Sequence, residues 1–266
     1  MKIAYWDCFS GISGDMCLGS IVDAGVKVED LEAMLKRLNI PEFKLETKQV
    51  LKNGIGATDL IVVCVGQDDC NHHHHETSHR HDKSHSHEQS SNHNKHQHLQ
   101  LKDILDIIHN AEIADKIKQQ SEQVFQNLAN VESKIHRTTP EDIHFHEVGA
   151  LDTIIDVVGT VIGLDLLGIE EVYVSAFPLG RGKVKCMHGI IPLPAPAALE
   201  LLKGKPIYYH ECYQEIITPT GAALAVTLGK GFGSFPKMIL ERVGYGAGDL
   251  DLEHPNVMRM FIGEIL

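Results

Sequence analysis

The pattern of apolar and polar positions at the start of the chain predicts a strand, a loop and a helix in succession. The apolar run of residues 2–6 is typical of a short buried strand, and helical spacing extends from Asp15 to Ala24. Between them lie the glycines and serines of residues 9–14. This loop is the first candidate for function, because a glycine-rich loop that leads into a helix can bind an anion.

Further elements follow at intervals and define the fold class. The predicted helices cover residues 28–38, 101–109, 113–135, 147–167, 194–202 and 219–228. The predicted strands cover residues 171–176, 237–243 and 257–263, and residues 44–50 and 57–65 form a predicted hairpin around Asn53-Gly54. Helices that cover a sheet are the natural arrangement of such a mixture, so the predicted class is α/β, with a mixed α+β fold as the alternative.

One polar stretch interrupts this pattern and divides the chain. Residues 67–98 contain eleven of the 18 histidines, together with Ser, Asn, Asp, Glu and Lys, and almost no apolar side chain. Such a stretch cannot bury enough hydrophobic surface to offset the entropy of ordering it. The predicted organisation is an N-terminal αβ segment over residues 1–66, a disordered His-rich linker over residues 67–98, and a main αβ domain over residues 99–266.

The charge balance restricts the kinds of partner. The chain has 24 Lys and Arg against 36 Asp and Glu, a formal net charge of -12, which disfavours nucleic acid and anionic membranes and favours cations, metal ions among them. No apolar run approaches the roughly 18–20 residues that cross a bilayer. Asp7 also interrupts the apolar start before a signal-peptide core forms. These features predict a cytoplasmic protein with no nucleic-acid or membrane partner.

The loop after the first predicted strand is suited to a phosphate. Glycines allow a backbone to approach an anion closely, and the start of the following helix offers free N–H groups and the positive end of its dipole. The predicted phosphate-binding residues here are Ser10, Gly11, Ser13 and Gly14. The loop matches neither a P-loop nor a dinucleotide-binding fingerprint. The alternative is a tight turn in which Ser13 or Asp15 caps the helix.

A denser set of polar residues lies at the start of the long helix predicted near the middle of the chain. In an extended lead-in, His144 and His146 point to one side. On the helix, Asp152 and Asp156 are one turn apart and share a face that Glu147 can reach. Imidazole and carboxylate groups together suit nickel, iron, manganese or zinc, so these five residues are predicted metal ligands. In the alternative, Glu147 and Asp152 only complement the helix dipole and the histidines lie at the surface. That alternative leaves the Asp156 carboxylate unpaired among apolar neighbours.

Four glycine-containing loops with polar tips lie close together in the last third of the chain, at residues 180–183, 187–189, 218–221 and 244–249. Each alone is more often a simple turn, but together they indicate the rim of a site. Arg181, in the first of these loops, can clamp a phosphate or carboxylate with its planar guanidinium group. It is therefore the fifth predicted phosphate-binding residue.

The imidazoles of the His-rich linker are the clearest metal signal in the sequence. On a flexible chain they can meet many coordination geometries, with affinity rising toward Ni²⁺, Cu²⁺ and Zn²⁺. We expect them to store or deliver a metal rather than to catalyse. The alternative is a solvent-exposed linker with no role in metal binding. The predicted accessory metal ligands are His72, His73, His74, His75, His79, His81, His85 and His87.

Five segments together resemble the nickel insertion proteins of the LarC type. They are DCFSGISGDM (residues 7–16), HFHEVGALDTIIDVVG (144–159), PLGRGKVKCMHGIIPLPAPA (178–197), TPTGAALA (218–225) and GYGAGDLDLEHPNVMR (244–259). The likeness covers nearly the whole chain outside the His-rich linker. An internal His-rich segment in this position is also similar to what many of those proteins carry.

This resemblance implies a function that composition and spacing do not. It implies the insertion of nickel into pyridinium-3,5-bisthiocarboxylic acid mononucleotide, with formation of nickel–sulfur bonds and a nickel–carbon bond. The product is the nickel-pincer cofactor of lactate racemase, and the reaction consumes CTP with Mg²⁺ or Mn²⁺ in the full-length family. The metal bound by the predicted ligands would then be nickel.

The resemblance also implies which partners to expect. Full-length members of the family are longer, and their C-terminal portion is associated with nucleotide binding and oligomer formation. The chain resembles their N-terminal part, so the expected partners are a companion polypeptide that carries the C-terminal portion and the lactate racemase apoprotein. CTP use by this chain alone is not implied.

A general base is also needed, because metallation of the ring requires removal of a proton from carbon. The candidate bases are Asp7, Asp15, Glu147 and His188, and a carboxylate beside bound nickel suits this role. Two other classes remain open. One is a nickel-binding storage or delivery protein without turnover, in which the His-rich linker is the function. The other is a metal-dependent phosphohydrolase, which the His/Asp cluster alone suggests.

Overall fold

The computed structural model describes residues 1–64, 99–143, 145, 151–186 and 189–266. These residues form a seven-stranded mixed sheet, two two-stranded sheets and the helices that pack with them. The helices are α1 (Gly14–Asp23), α2 (Val28–Leu35), α3 (Leu101–Asn110), α4 (Asp115–His136), α5 (Leu151–Leu166), α6 (Pro196–Leu201) and α7 (Pro219–Leu228), with a 3-10 turn at Lys36–Leu38. The strands are β1 (Lys2–Asp7), β2 (Phe43–Lys52), β3 (Ile55–Cys64), β4 (Glu171–Ser175), β5 (Phe177–Leu179), β6 (Lys183–Cys186), β7 (Gly189–Pro192), β8 (Ile207–Tyr209), β9 (Gly229–Gly233), β10 (Met238–Ala247) and β11 (Val257–Ile265).

Strand β1 lies inside the large sheet, whose order is β2-β3-β10-β11-β1-β4-β9. It pairs antiparallel with β11 and parallel with β4. The hairpin of β2 and β3 joins this sheet where Thr58 of β3 pairs with Gly246 of β10. Strands from both sides of residues 65–98 therefore belong to one sheet.

The main hydrophobic core lies between this sheet and the helices. Side chains that alternate along β1 and β11 belong to the core, so they share one face of the sheet: Ala4, Trp6, Met258, Met260 and Ile262. Helix α1 contacts β3, β10 and β11, and α7 contacts β4 and β9. Helix α5 packs against α1, α2 and α4, which explains why nearly every face of α5 carries apolar residues.

Two glycines of β10 let α1 lie very close to the sheet. A Cβ at Gly246 would lie 1.9 Å from the carbonyl oxygen of Met16, and a Cβ at Gly244 would lie 2.0 Å from the carbonyl oxygen of Ser20. Any side chain at either position would push the helix away from the strand. The position of the first turn of α1, and of the loop before it, therefore depends on these glycines.

The predicted α/β class is confirmed, and so are the first strand, the first helix and the hairpin. In the hairpin turn, Asn53 and Gly54 have φ values of 50° and 82°, as a two-residue turn between twisted strands requires. The interpretation of residues 244–249 as a loop is wrong for residues 244–247, which belong to β10. The predicted linker and residues 147–150 of the predicted central helix lie outside the described residues.

None of the helices that the structure describes is both long enough and apolar enough to span a membrane.

Candidate functional site

The loop of residues 8–13 lies at the carboxyl end of β1 and is tied to the segment that precedes α7. Gly11 has a φ of 102°, and its N–H donates to the Cys8 carbonyl oxygen at 2.8 Å. A Cβ at Gly11 would lie 1.8 Å from the carbonyl oxygen of Ile216, so only glycine fits. The N–H of Ile12 donates to that same oxygen at 2.8 Å, and the N–H of Thr218 donates to the Ile12 carbonyl oxygen at 3.1 Å. The loop is therefore held rigidly between the starts of α1 and α7.

The predicted phosphate-binding residues of this loop are brought together, but the helix start also contains a carboxylate. The Ser10 hydroxyl is buried and has no hydrogen-bond partner within the part of the chain that the structure describes. Ser13 is the N-cap of α1, with extended backbone and no capping bond from its side chain. The backbone N–H groups of Asp15 and Met16 interact with the Asp15 carboxylate. A phosphate bound here would compete with that carboxylate for the N–H groups.

Acidic side chains crowd the first turn of α1. Asp156 of α5 lies directly over Gly14, where a Cβ would come within 2.3 Å of the Asp156 Oδ2 atom. Burial raises the pKa of Asp156 well above its ordinary value, and the nearby charges of Asp15 and Asp152 raise it further. Burial also raises the pKa of Asp15 to about 6, and the charge of Asp249 contributes in the same direction. We call Asp15, Asp152, Asp156 and Asp249 the acidic cluster.

Two members of the acidic cluster, Asp15 and Asp156, are hard to ionise, chiefly because of burial and further because of their negative neighbours. A divalent cation placed beside them would relieve both the desolvation and the repulsion. Asp15, with a pKa near neutrality, can also accept a proton at physiological pH. Thiolate ligands are not available beside it, because burial raises the pKa of the Cys17 thiol well above its ordinary value.

Two of the five predicted metal ligands near the central helix, Asp152 and Asp156, lie among the described residues. Asp152 is exposed, and its Oδ1 atom accepts a hydrogen bond from its neighbour's backbone N–H at 2.8 Å. The described residues include no group of three or more His, Cys, Asp or Glu side chains that could hold a metal ion. The other predicted ligands lie outside the described residues, as does one candidate base: His144, His146, Glu147, the eight histidines of the linker, and His188. Their roles stay predictions.

Asp7, another candidate base, is bound in an ion pair. The Nε atom of Arg259 donates to the Asp7 Oδ2 atom at 2.9 Å, and a terminal guanidinium nitrogen binds the same oxygen. The guanidinium carbon lies 5.0 Å from the ring centre of Phe9 and 5.2 Å from that of Phe261. Arg259 thus links the end of β1 to the loop through charge-assisted hydrogen bonds to Asp7.

Arg181 lies beside residues 212–214, which lead into the segment that fixes Gly11. Its backbone N–H donates to the Cys212 carbonyl oxygen at 2.7 Å, and a Cβ at the preceding Gly180 would lie 2.2 Å from the carbonyl oxygen of Gln214. The Arg181 side chain is exposed, and its guanidinium carbon lies 4.8 Å from the centre of the Tyr209 ring. Among the described residues, no carboxylate forms an ion pair with the Arg181 guanidinium group. The guanidinium group is therefore suited to an anionic ligand.

Two histidines beside the loop were not singled out from the sequence. The ring centres of His210 and His254 are 4.5 Å apart, and that of His254 is 6.4 Å from the Phe9 ring. The two positions are far apart in sequence, and each is a lone histidine beside a glutamate. No spacing pattern connects them, so only the fold reveals the pair.

The fold is that of an α/β protein in which carboxyl groups, imidazoles and arginines lie around a glycine loop. The family model described as "Nickel insertion protein" matches residues 4–265. The chain belongs to this family, and the resemblance stated from its motifs is confirmed. No solved structure matches the chain.

Curated relatives carry more specific names. Proteins from Geobacillus kaustophilus and Desulfitobacterium hafniense are 42% and 44% identical to the chain over 265 residues, and each is called "Pyridinium-3,5-bisthiocarboxylic acid mononucleotide nickel insertion protein". A protein of the same name from Staphylococcus epidermidis is 39% identical over 259 residues. The alignments cover 99%, 100% and 97% of this chain but 60%, 59% and 58% of those relatives. The chain therefore spans about three fifths of the relatives that it matches.

Proposed function

We propose that the chain takes part in the insertion of nickel into pyridinium-3,5-bisthiocarboxylic acid mononucleotide, the step that yields the nickel-pincer cofactor of lactate racemase. The observation that carries this proposal is the family match over residues 4–265, together with relatives whose names give this substrate and this metal. Nickel and the mononucleotide are both substrates. CTP with Mg²⁺ or Mn²⁺ is the expected co-substrate, bound by a companion polypeptide, and the cytoplasm is the expected location.

The mononucleotide has a phosphate, and the site offers groups that suit it. The proposed phosphate ligands are Ser10, whose buried hydroxyl lacks a partner among the described residues, the loop backbone at Gly11, Ser13 and Gly14, and the guanidinium group of Arg181. The fixed loop would bind the phosphate without a large loss of backbone entropy, because its hydrogen bonds to the segment before α7 already hold it.

We propose that nickel binds at the acidic cluster and that His144, His146 and Glu147 are further ligands of the ion. Burial, and after it the neighbouring negative charges, raise the pKa values of Asp15 and Asp156, and a divalent cation bound there would offset both. Before the ion is transferred, its charge would hold both carboxyls in their ionised form. The sulfurs of the substrate, which are softer ligands than carboxylates, would then take the ion over.

The carbon that becomes bonded to nickel must lose a proton, and Asp15 is the described residue best suited to accept it. Its pKa of about 6 lies close to physiological pH, where a base is both ionised and able to hold a proton. Asp7 is less suited, because Arg259 binds its carboxylate. The electron pair of the C–H bond forms the carbon–nickel bond, and the proton passes to the carboxylate.

The experiment mixes the chain, the mononucleotide, nickel and CTP with Mg²⁺ or Mn²⁺, with and without the C-terminal portion of a relative, and follows cofactor mass. We expect cofactor in the complete mixture, and loss of cofactor when His146→Ala and Asp152→Ala are combined. Normal insertion by that double variant would contradict the proposed nickel ligands. No cofactor under any condition would contradict the proposed function itself.

A nickel store without turnover is the second candidate, and the eleven histidines of residues 67–98 favour it. Replacement of those eleven histidines by asparagine separates the two candidates. An insertase should keep its activity when nickel is ample, although it would bind less nickel in total. A store should lose nearly all of its bound nickel and should form no cofactor before or after the change.

A further inference from the structure

We infer that His210 and His254 form a two-imidazole binding site for a divalent transition-metal ion beside the glycine loop. The inference deepens the proposed function and rests on it for the identity of the metal, which would be nickel. The site itself rests on the geometry of the two rings. Neither histidine is among the predicted metal ligands at residues 144–156.

The two rings are held close together from different parts of the fold. His210 follows β8, and its backbone N–H donates to the Leu179 carbonyl oxygen at 3.0 Å. His254 lies in the connection from β10 to β11, where the N–H of Gly248 donates to the Asn256 carbonyl oxygen at 2.9 Å and the Asn256 side chain donates to the Leu250 carbonyl oxygen at 3.3 Å. Fixed backbone on both sides means that the pair is preorganised.

The separation of the rings fits two ligands of one ion. Their centres are 4.5 Å apart and their planes are inclined by 46°. An imidazole nitrogen lies about 2.0–2.1 Å from a bound transition ion. Two rings bound at adjacent corners of a square-planar or octahedral ion therefore have centres roughly 4.5 Å apart, slightly closer than two ligands of a tetrahedral ion. Nickel accepts both of the first two geometries.

Each ring also has a nitrogen atom for which the structure shows no other use. The Nδ1 atom of His210 and the Nε2 atom of His254 are buried, and neither has a hydrogen-bond partner within the described ranges of the chain. Buried polar atoms are normally satisfied, so an unpartnered pair in neighbouring rings calls for an explanation. A metal ion that accepts one lone pair from each ring would satisfy both atoms.

The surroundings of His254 favour the form of its ring that binds metal. Burial lowers the pKa of His254, and the neighbouring His210 lowers it further, whereas Glu253 acts in the opposite direction. A neutral imidazole offers a lone pair, and a protonated one does not. Phe9 packs near His254 and adds an aromatic ring to its surroundings.

A site with only two protein ligands suits an ion that must be passed on. Two imidazoles fill half of a square-planar coordination sphere and leave two adjacent positions open. The proposed substrate has two sulfurs that could occupy such positions. Three or four protein ligands would hold the ion more tightly and slow its release.

The test uses the whole chain with the eleven histidines of residues 67–98 replaced by asparagine, so that these residues no longer dominate nickel binding. In this background, His210→Gln and His254→Gln are combined and bound nickel is measured by equilibrium dialysis. We expect one bound ion fewer per chain than in the background. The matched control combines His109→Gln and His136→Gln, two helix histidines that lie beside glutamates, and it should bind as much nickel as the background.

Equal nickel binding by the His210/His254 variant and the background would overturn the inference. A second measurement needs no change to the pair and so remains decisive if that variant fails to fold. Imidazole ¹⁵N signals of the background chain are followed by NMR while Zn²⁺ is added as a diamagnetic probe. We expect the signals of His210 and His254 to shift together, and unchanged signals at saturating Zn²⁺ would contradict the site.

The two proposals can fail separately. Nickel bound at the pair without any cofactor formation would contradict the proposed function and leave the site standing. Cofactor formation in a chain whose pair binds neither ion would contradict the site and leave the proposed function standing.

Discussion

Asp7 and Asp156 lie near opposite ends of the same short loop, yet their carboxyl groups have opposite surroundings. Asp7 meets the guanidinium group of Arg259, which also packs over two aromatic rings. Asp156 is half-buried over Gly14 among acidic neighbours, and its pKa is raised well above the ordinary value. The contrast separates two uses of a partly buried carboxyl group. The first carboxylate stabilises the fold through a fixed partner, whereas the second is suited to a cation that comes and goes.

Removal of the charge at Asp156 should give the largest effect. We expect Asp156→Asn to lower the rate of nickel insertion by about 100-fold, as loss of a group beside a metal commonly does. In the absence of metal the same change should raise the free energy of unfolding by about 1–3 kcal/mol, because it removes a carboxyl that is costly to bury. Insertion assays and urea unfolding in a chelator measure the two effects.

Asp165→Asn is the matched control for that prediction. Asp165 lies on the same helix, α5, but is exposed, so both measurements should stay close to those of the unmodified chain. If Asp156→Asn left both the insertion rate and the stability unchanged, Asp156 would belong with Asp7 as a purely structural carboxylate, and the contrast would be lost.

Removal of the partner at the other end of the loop should give an intermediate effect of opposite sign. We expect Arg259→Met to lower the free energy of unfolding by about 1–2 kcal/mol, because it removes the charge-assisted hydrogen bonds to Asp7 from a pair that is only partly screened by solvent. Urea unfolding measures the loss. Lys36→Met serves as the control, because Lys36 and Glu32 form a pair in which the lysine is more than half exposed, and its loss should cost less than about 0.5 kcal/mol. Equal losses in both variants would argue against a special role for the Asp7 pair.

The smallest expected effect is a pH dependence that comes from Asp15. Its folded pKa of about 6 lies above the ordinary value of 3.8, so the folded state binds this proton more tightly than the unfolded state does. The carboxyl therefore favours folding at low pH, and this contribution is lost as the pH rises through about 6. Between pH 5 and 8 the unfolding free energy of the metal-free chain should fall by about 1 kcal/mol relative to that of Asp15→Asn.

Unfolding curves of the two chains at several pH values test this prediction. The comparison with Asp15→Asn cancels the contributions of other groups, such as His254, whose lowered pKa acts in the opposite direction over the same range. Parallel pH profiles for the two chains would show that the folded chain does not raise the pKa of the Asp15 carboxyl.

Local signals in the sequence were sufficient for much of the fold. The apolar run of residues 2–6 and the Asn53-Gly54 turn each determine their structure within a few residues, and both predictions are confirmed. Short strands were missed where the local signal points elsewhere. Strand β9, with three glycines in five residues, has the composition of a turn, and its pairing with β4 depends on a partner far away in sequence.

The glycines at 244 and 246 illustrate the same limit in another way. They were interpreted as loop residues, but they belong to a strand, because α1 can approach β10 only where no side chain intervenes. The candidate site behaves similarly. The sequence singled out Asp15 and Asp156 separately, whereas their proximity over Gly14 and the pairing of His210 with His254 are products of tertiary packing.

The pairing of β1 with β11 has a consequence for how the chain folds. Asp7 and Arg259 are 252 positions apart. Strand β1 therefore cannot form its hydrogen bonds to β11 until nearly all of the described chain has left the ribosome. Contacts of such long range slow the search for the native state. Until β11 arrives, the apolar strand that leads into the glycine loop remains an unprotected edge, so we expect nascent chains to depend on chaperones during synthesis.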